Sequence, residues 1–258
     1  MTFYQPQNKI MKKIILALLV IAIYIAAIPP KKTKIWMCGD STMSIKQTIA
    51  YPETGWGMPF ANFWDSTIQV VNLAKNGRST KTFITENLWQ QVLDGAQEGD
   101  FVFIQFGHND EVESKKGSYT TPTEFKSNLT KFINEARALK TIPILLTPVS
   151  RRNFDSLGVA QETHKAYSQL VKEVADAENV LFIDADAKSR ELYQSFGKDN
   201  STLLFLHLKA GEHPNYPEGK IDNTHFSELG ARLIAQMILK ELKAMNTDLN
   251  NHFSRKAK

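Results

Sequence analysis

Phe101-Val102-Phe103-Ile104-Gln105-Phe106-Gly107 runs straight into His108-Asn109-Asp110. The apolar stretch is too short for a helix, and its hydrophobicity is continuous where a strand with one wet face would alternate. Such a strand is buried on both faces, the condition of a parallel sheet covered by helices on either side. Lys34–Gly39, Ile68–Ala74, Ile142–Val149 and Val180–Asp184 read the same way. Between them lie segments of helical period, the clearest being Pro122–Lys140, where Phe125, Leu129, Phe132, Ile133, Ala136 and Leu139 make a one-sided stripe. Thr121 is its cap, Pro122 suits the first helical position, and Glu124 stands where a capping box places its carboxylate. A last helix is expected after residue 226, capped by Ser227, with Leu229, Leu233, Met237, Ile238 and Leu242 facing inward. Strand–helix alternation over five strands predicts an α/β domain built on a parallel sheet. Ligands in such sheets bind beyond the carboxyl ends of the strands.

Three polar blocks fall at those ends, and a fourth precedes the last helix: Gly39-Asp40-Ser41-Thr42, Asn76-Gly77-Arg78-Ser79-Thr80, Gly107-His108-Asn109-Asp110 and Asp222-Asn223-Thr224-His225. Together they supply what ester hydrolysis requires. Ser41 is the candidate nucleophile. His225 is the candidate base, being the one histidine of six with an aspartate three residues upstream on a segment leading into a helix. Asp222 would accept a proton from one ring nitrogen and leave the other facing the serine. The backbone amides of Ser41 and Gly77 and the side-chain amide of Asn109 are the candidate donors to an oxyanion.

Each block alone has a plainer reading. Gly-Asp-Ser can be a strand-end turn, Asn-Gly a stock turn pair, Gly-His-Asn-Asp a polar loop, and Asp-x-x-His a cap beside an exposed histidine or half a metal site. No second histidine or cysteine stands near His225 at ligand spacing, so no metal is expected. The four blocks acquire meaning from occurring together in order. Loops Glu111–Thr120, Ser150–Gly158 and Gly197–Ile221 should crowd the same edge, either as binding loops or as solvated insertions. Arg78, Arg151 and Arg152, with Lys115, Lys116 and Lys209, are candidate contacts for an acidic polymer or else simply solvated charges.

The 258 residues, 42% of them hydrophobic, suffice for one full core. The formal charge of +4 falls to +1 without Lys9, Lys12 and Lys13, and turns slightly negative without Arg255, Lys256 and Lys258. No basic stripe argues for a nucleic-acid partner. Lys12-Lys13 precede the uncharged run Ile14–Ile28 and then Pro29-Pro30, the order of a secretory signal. Export to the periplasm or medium is expected, an uncleaved anchor being the alternative. Ile25-Ala26-Ala27 serves as a cleavage site, and residues 1–10 read as an extension upstream of Met11. The expected domain spans 31–245, with 246–258 a flexible tail. The single cysteine, Cys38, excludes an internal disulfide and lies in an apolar run, where a core role is expected.

The strings Gly-Asp-Ser-Thr, Asn-Gly-Arg-Ser-Thr, Gly-His-Asn-Asp and Asp-Asn-Thr-His-Phe-Ser, with Gly55-Trp56-Gly57, resemble those of the SGNH (GDSL-like) hydrolases, and within them the rhamnogalacturonan acetylesterase branch. The resemblance runs from about Lys34 to Lys240. It implies a flavodoxin-like three-layer α/β/α fold, no cofactor, Ser41, Asp222 and His225 as the catalytic triad, and Ser41, Gly77 and Asn109 as the oxyanion hole. The implied activity is removal of acetyl groups from pectic rhamnogalacturonan. Other members of the superfamily deacetylate xylan or oligosaccharides or act as lipases or thioesterases, and a carbohydrate-binding relative without catalysis is the remaining alternative. No stable protein partner is implied, and a monomer is expected.

Overall fold

The computed structural model describes residues 11–16 and 32–254. The chain divides into two units, Met1–Lys32 and Thr33–Lys258. Residues 11–16 of the first are helical. Most of the apolar leader, including the expected cleavage site, lies outside the described residues. Among the described residues no helix is long and apolar enough to cross a membrane.

The second unit is built on β1 (Thr33–Gly39), β2 (Ile68–Asn72), β3 (Phe101–Gln105), β4 (Ile142–Leu146) and β5 (Leu181–Ile183). They pair in the order β2-β1-β3-β4-β5, every neighbour parallel. The helices are α1 (Gly57–Phe60), α2 (Thr80–Thr85), α3 (Leu88–Gly95), α4 (Pro122–Ala138), α5 (Lys165–Ala177), α6 (Ala185–Asn200) and α7 (Glu228–Ala244). Period-2 alternation explains the continuous apolar runs, because each strand feeds two cores. Ile35, Met37, Phe101, Phe103, Ile144 and Leu146 pack with Phe60, Tyr193, Ile234 and Ile238. Trp36, Cys38, Val102, Ile104 and Leu145 pack on the other face with Phe83, Trp89, Phe125, Phe132 and Val171. After β1 the chain adds β2 on one side and then crosses to place β3 on the other. A crevice opens at the carboxyl ends where such a reversal occurs. Ser41 follows β1 and Asn109 follows β3, so both blocks stand at that switch point.

The expected capping box closes α4, with the Thr121 amide donating to Glu124 at 2.8 Å and the Glu124 amide to the Thr121 hydroxyl at 3.3 Å. Ser227 caps α7 by accepting from the Gly230 amide at 3.2 Å. The inner face of α7 contains the expected Ile238 and Leu242 but is rotated from the rest of the expected stripe. Leu229 is 45% exposed, Leu233 and Met237 are half-buried, and the buried stripe is Ala231, Ile234, Ala235, Ile238, Leu239 and Leu242. Small residues face inward because the helix approaches very closely: a Cβ on Gly230 would stand 1.8 Å from the Leu204 carbonyl oxygen.

The segment expected as a loop over 197–221 instead ends α6 and forms a hairpin. β6 (Phe205–Leu208) pairs antiparallel with β7 (Lys220–Phe226). Its register jumps from Leu206↔Asp222 to Phe205↔Phe226, so Asn223, Thr224 and His225 bow out of the ladder between two paired positions. Bulges of this kind re-aim side chains beside functional sites. The tail also departs from expectation through residue 254. Phe253 is buried, its ring stacked 5.1 Å from that of Trp64, and the Ser254 amide donates to the Phe63 carbonyl at 2.8 Å.

Candidate active site

Ser41 stands on a turn held from below. The Asp40 carboxylate accepts the Thr42 amide at 2.9 Å and its hydroxyl at 2.7 Å. Gln105, the last residue of β3, donates to the Thr42 hydroxyl at 2.8 Å and accepts from the Trp56 indole at 2.9 Å. Burial pushes the Asp40 pKa up, against the lowering effect of the Thr42 bonds. The turn therefore belongs to the buried core as much as to the surface, and Ser41 is only 8% exposed.

The β7 bulge brings His225 over this turn, with Nε2 at 2.9 Å from the Ser41 Oγ. On the far side of the ring, Nδ1 lies 2.8 Å from Asp222 Oδ2. The second carboxylate oxygen accepts the amides of Thr224 at 2.7 Å and His225 at 3.0 Å. Burial acts to raise the Asp222 pKa, but bonds from the His225 ring, the His225 amide and the Thr224 amide outweigh it and hold the carboxyl well below its ordinary range. An ionised carboxylate only accepts, so Nδ1 carries the ring proton and Nε2 is left to receive one from Ser41.

Gly77 has φ +77° and open space where a Cβ would be. The backbone amides of Ser41 and Gly77 donate to no other protein group among the described residues. Asn109 spends one N–H on the Arg78 carbonyl at 2.9 Å, which leaves the second for the cavity it lines. Its neighbour Asp110 accepts the Thr80 amide at 2.9 Å, the Thr80 hydroxyl at 2.6 Å and the Thr120 hydroxyl at 3.0 Å. Those bonds tie the start of α2 to the end of β3, and burial raises the Asp110 pKa to about 7. The five residues singled out as catalytic or oxyanion-binding, Ser41, Gly77, Asn109, Asp222 and His225, thus line one cavity of about 320 Å³. Glu53, Asn76, His108, Lys115, Arg151 and Thr224 complete its wall. Burial, then the charges of His164 and Arg151, hold the His108 imidazole well below its ordinary pKa, so it stands neutral. No cluster of three or more His, Cys, Asp or Glu side chains among the described residues could hold a metal ion.

The three candidate arginines separate. Arg151 lines the cavity and donates to the Thr224 hydroxyl at 2.6 Å. Arg78 lies outside it, in an adjoining groove, and pairs with Glu86 at 2.7 Å and the Asn76 carbonyl at 2.8 Å. Arg152 also lies outside, bound to Ser201 at 2.9 Å, to the Lys198 carbonyl, and to Asn223 at 3.2 Å. Guanidinium groups with acceptors this close are drawn into the fold. Arg152 braces the bulge: its amide donates to the Asn223 carbonyl at 2.8 Å, and His207 meets the Asn223 side chain at 2.8 Å. Glu53 escaped the sequence reading because a lone glutamate in a loop carries no distinguishing pattern, and Asn76, read there only as half of a turn pair, was given no role of its own.

The family model for GDSL-like lipase/acylhydrolases matches residues 37–233. The chain belongs to this family. This GDSL-like acylhydrolase is 36% identical over 222 residues to the rhamnogalacturonan acetylesterase RhgT of Bacillus subtilis strain 168, covering 86% of this chain and 94% of that one. Among solved structures, protein YXIM of Bacillus subtilis superposes with a TM-score of 0.74 at 25% identity, over 85% of this chain and 58% of that one. The chain thus spans little more than half the length of that protein. Axe2, an acetylxylan esterase from Geobacillus stearothermophilus, has the same fold with a TM-score of 0.58 at 20% identity, over 82% of this chain and 94% of that one. The GDSL-like acylhydrolase described here is a carboxylic ester hydrolase.

Proposed function

We propose that the enzyme removes O-acetyl groups from a plant cell-wall polysaccharide, pectic rhamnogalacturonan, through an acetyl-enzyme on Ser41. The observation that carries the mechanism is the unbroken relay from Ser41 through His225 to Asp222, at 2.9 and 2.8 Å. As the Ser41 Oγ bonds to the acetyl carbon, its proton passes to His225 Nε2 and the carbonyl electron pair moves onto oxygen. That oxygen meets the amides of Ser41 and Gly77 and the free N–H of Asn109, fixed before the reaction begins. One such donor contributes roughly 3–4 kcal/mol to the transition state of comparable hydrolases. Collapse breaks the bond to the sugar oxygen, which takes the proton from His225 and leaves as the free hydroxyl. Water, deprotonated by the same nitrogen, then attacks the acetyl-serine, the bond from the acetyl carbon to Oγ breaks, and Oγ takes the proton back from Nε2 as acetate leaves. Asp222 fixes the tautomer and stabilises the imidazolium in both halves.

The substrate reading rests on the relative RhgT and on the cavity wall. Glu53, Asn76, Lys115 and Arg151 make that wall polar, charged and small. A long acyl chain would require an apolar channel, whereas hydroxyls and a uronate carboxylate match these groups. Export is proposed on the leader sequence alone. Acetate released from acetylated rhamnogalacturonan, xylan and simple acetylated sugars tests the assignment. Preference for the first, abolished in Ser41→Ala, is the expected result, and faster release from xylan or from a lipid ester would redirect it.

A further inference from the structure

Lys46 is a charged residue that the hydrolytic scheme does not use. Its side chain is 1% exposed, yet its ammonium lies 2.6 Å from Glu53 and donates to Asn76 Oδ1 at 2.8 Å. The same Asn76 oxygen accepts the Ser44 hydroxyl at 2.7 Å. Burying an ammonium costs several kcal/mol unless partners recover it, so its partners here are held tightly or the loop would not close over it. Asn76 directly precedes Gly77, whose backbone adopts a left-handed φ of +77°. Holding the Asn76 side chain from two sides fixes the peptide plane that carries the Gly77 amide.

The other end of the pair reaches the acid–base strand. Glu53 lines the cavity, and the next residue, Thr54, donates its amide to the Phe226 carbonyl at 2.9 Å, one residue after His225. Asn215 donates to the carbonyls of Thr48 and Tyr51, both at 2.9 Å, and Tyr216 to that of Ala50 at 2.8 Å. Segment 46–54 therefore ties the Gly77 turn to the β6–β7 hairpin. We propose that the buried Lys46–Glu53 pair is a positioning element, holding Asn76 and through it the Gly77 amide in register with Ser41 and His225. This rests on the reading of the Gly77 amide as an oxyanion donor.

The test uses Lys46→Met, Glu53→Gln, Asn76→Ala and the two double variants with Asn76→Ala. Active sites are counted by titration with a fluorophosphonate, and kcat per titrated site and KM are measured with an aryl acetate. A misplaced oxyanion donor lowers kcat per intact site, whereas a merely structural role lowers only the number of intact sites. Lys46→Met should lose about tenfold or more in kcat per site, within the range for one displaced oxyanion donor, with KM little changed. Lys46→Met/Asn76→Ala should be no slower than Asn76→Ala alone, since both act through one peptide. Wild-type kcat per site in Lys46→Met, or losses that multiply in the double variant, would overturn the proposal. Should Lys46→Met not fold, the isosteric Glu53→Gln carries the same expectations with Asn76→Ala. A wild-type enzyme that the phosphonate does not label would sink the underlying serine-hydrolase reading instead.

Discussion

Replacing Asp222 by asparagine isolates the step that sets the imidazole tautomer. One carboxylate oxygen accepts two backbone amides at 2.7 and 3.0 Å, and the other accepts His225 Nδ1 at 2.8 Å. Asparagine has a single oxygen to serve both sides. If it stays with the backbone amides, its NH₂ faces Nδ1, and the ring must move its proton to Nε2. A protonated Nε2 cannot take the serine proton. If the side chain turns over, the productive tautomer returns, but two backbone donors are left facing an NH₂ at a cost of about 1–3 kcal/mol each. The unproductive arrangement is therefore favoured by about 2–6 kcal/mol, or roughly 30-fold to 10⁴-fold at 1.4 kcal/mol per decade. The kcat/KM for an aryl acetate should fall by that factor, toward the floor set by Ser41→Ala, while circular dichroism and thermal melting show the fold intact. Should Asp222→Asn retain more than about a tenth of wild-type activity, the backbone amides do not control the rotamer and the tautomer argument is wrong.

Gly77→Ala should remain folded, because the added Cβ meets nothing within 4 Å. The strain of about 1–2 kcal/mol at a φ of +77° swings the amide away, and kcat should drop about 10- to 100-fold with a small change in melting temperature. Asp110, whose pKa is raised to about 7 by burial, favours the folded state when protonated. Its contribution is full below the unfolded carboxyl value of about 4 and is lost as pH rises through about 7. Urea titrations at several pH values should show this decline, flattened in Asp110→Asn. Arg151→Gln should lower kcat/KM on acetylated rhamnogalacturonan more than on an aryl acetate. Arg152→Gln should leave that ratio unchanged, its guanidinium being spent on Ser201, Lys198 and Asn223. Equal ratios for the two variants would remove Arg151 from substrate binding. Gly230→Ala should destabilise by several kcal/mol in urea, its Cβ falling 1.8 Å from a backbone oxygen that cannot move without shifting α7 or β6.

The sheet was legible because its strands are buried twice over: Phe101–Ile104 feeds two cores, and no single-faced pattern could be mistaken for it. The capping box at Thr121 and Glu124 was legible because capping is local chemistry. The hairpin was not. Lys220–Phe226 carries Asp, Asn and an 80% exposed Ile221, a composition poor in strand preference. It pairs because Phe226 must be buried with Phe205, 5.4 Å away. On α7 the expected Ile238 and Leu242 are buried and Leu233 and Met237 pack at the core's edge, but Leu229 is exposed, and Gly230, Ala231 and Ala235 were missed because small residues are selected by close approach, which the sequence does not display. The order of the four blocks was readable, but the bulge that turns His225 toward Ser41 is a register event between distant residues. Arg78 and Arg152 were beyond reach for the same reason, since their acceptors, Glu86, Ser201 and Asn223, are assembled only by the fold.

The central claim is that Ser41 is a nucleophile activated by His225. Intact-mass and peptide mass spectrometry after exposure to a fluorophosphonate reads it directly. One adduct per chain on the peptide bearing Ser41, absent in Ser41→Ala and formed far more slowly in His225→Ala, is the expected outcome. Labelling at another residue, or at an undiminished rate in His225→Ala, would contradict the account.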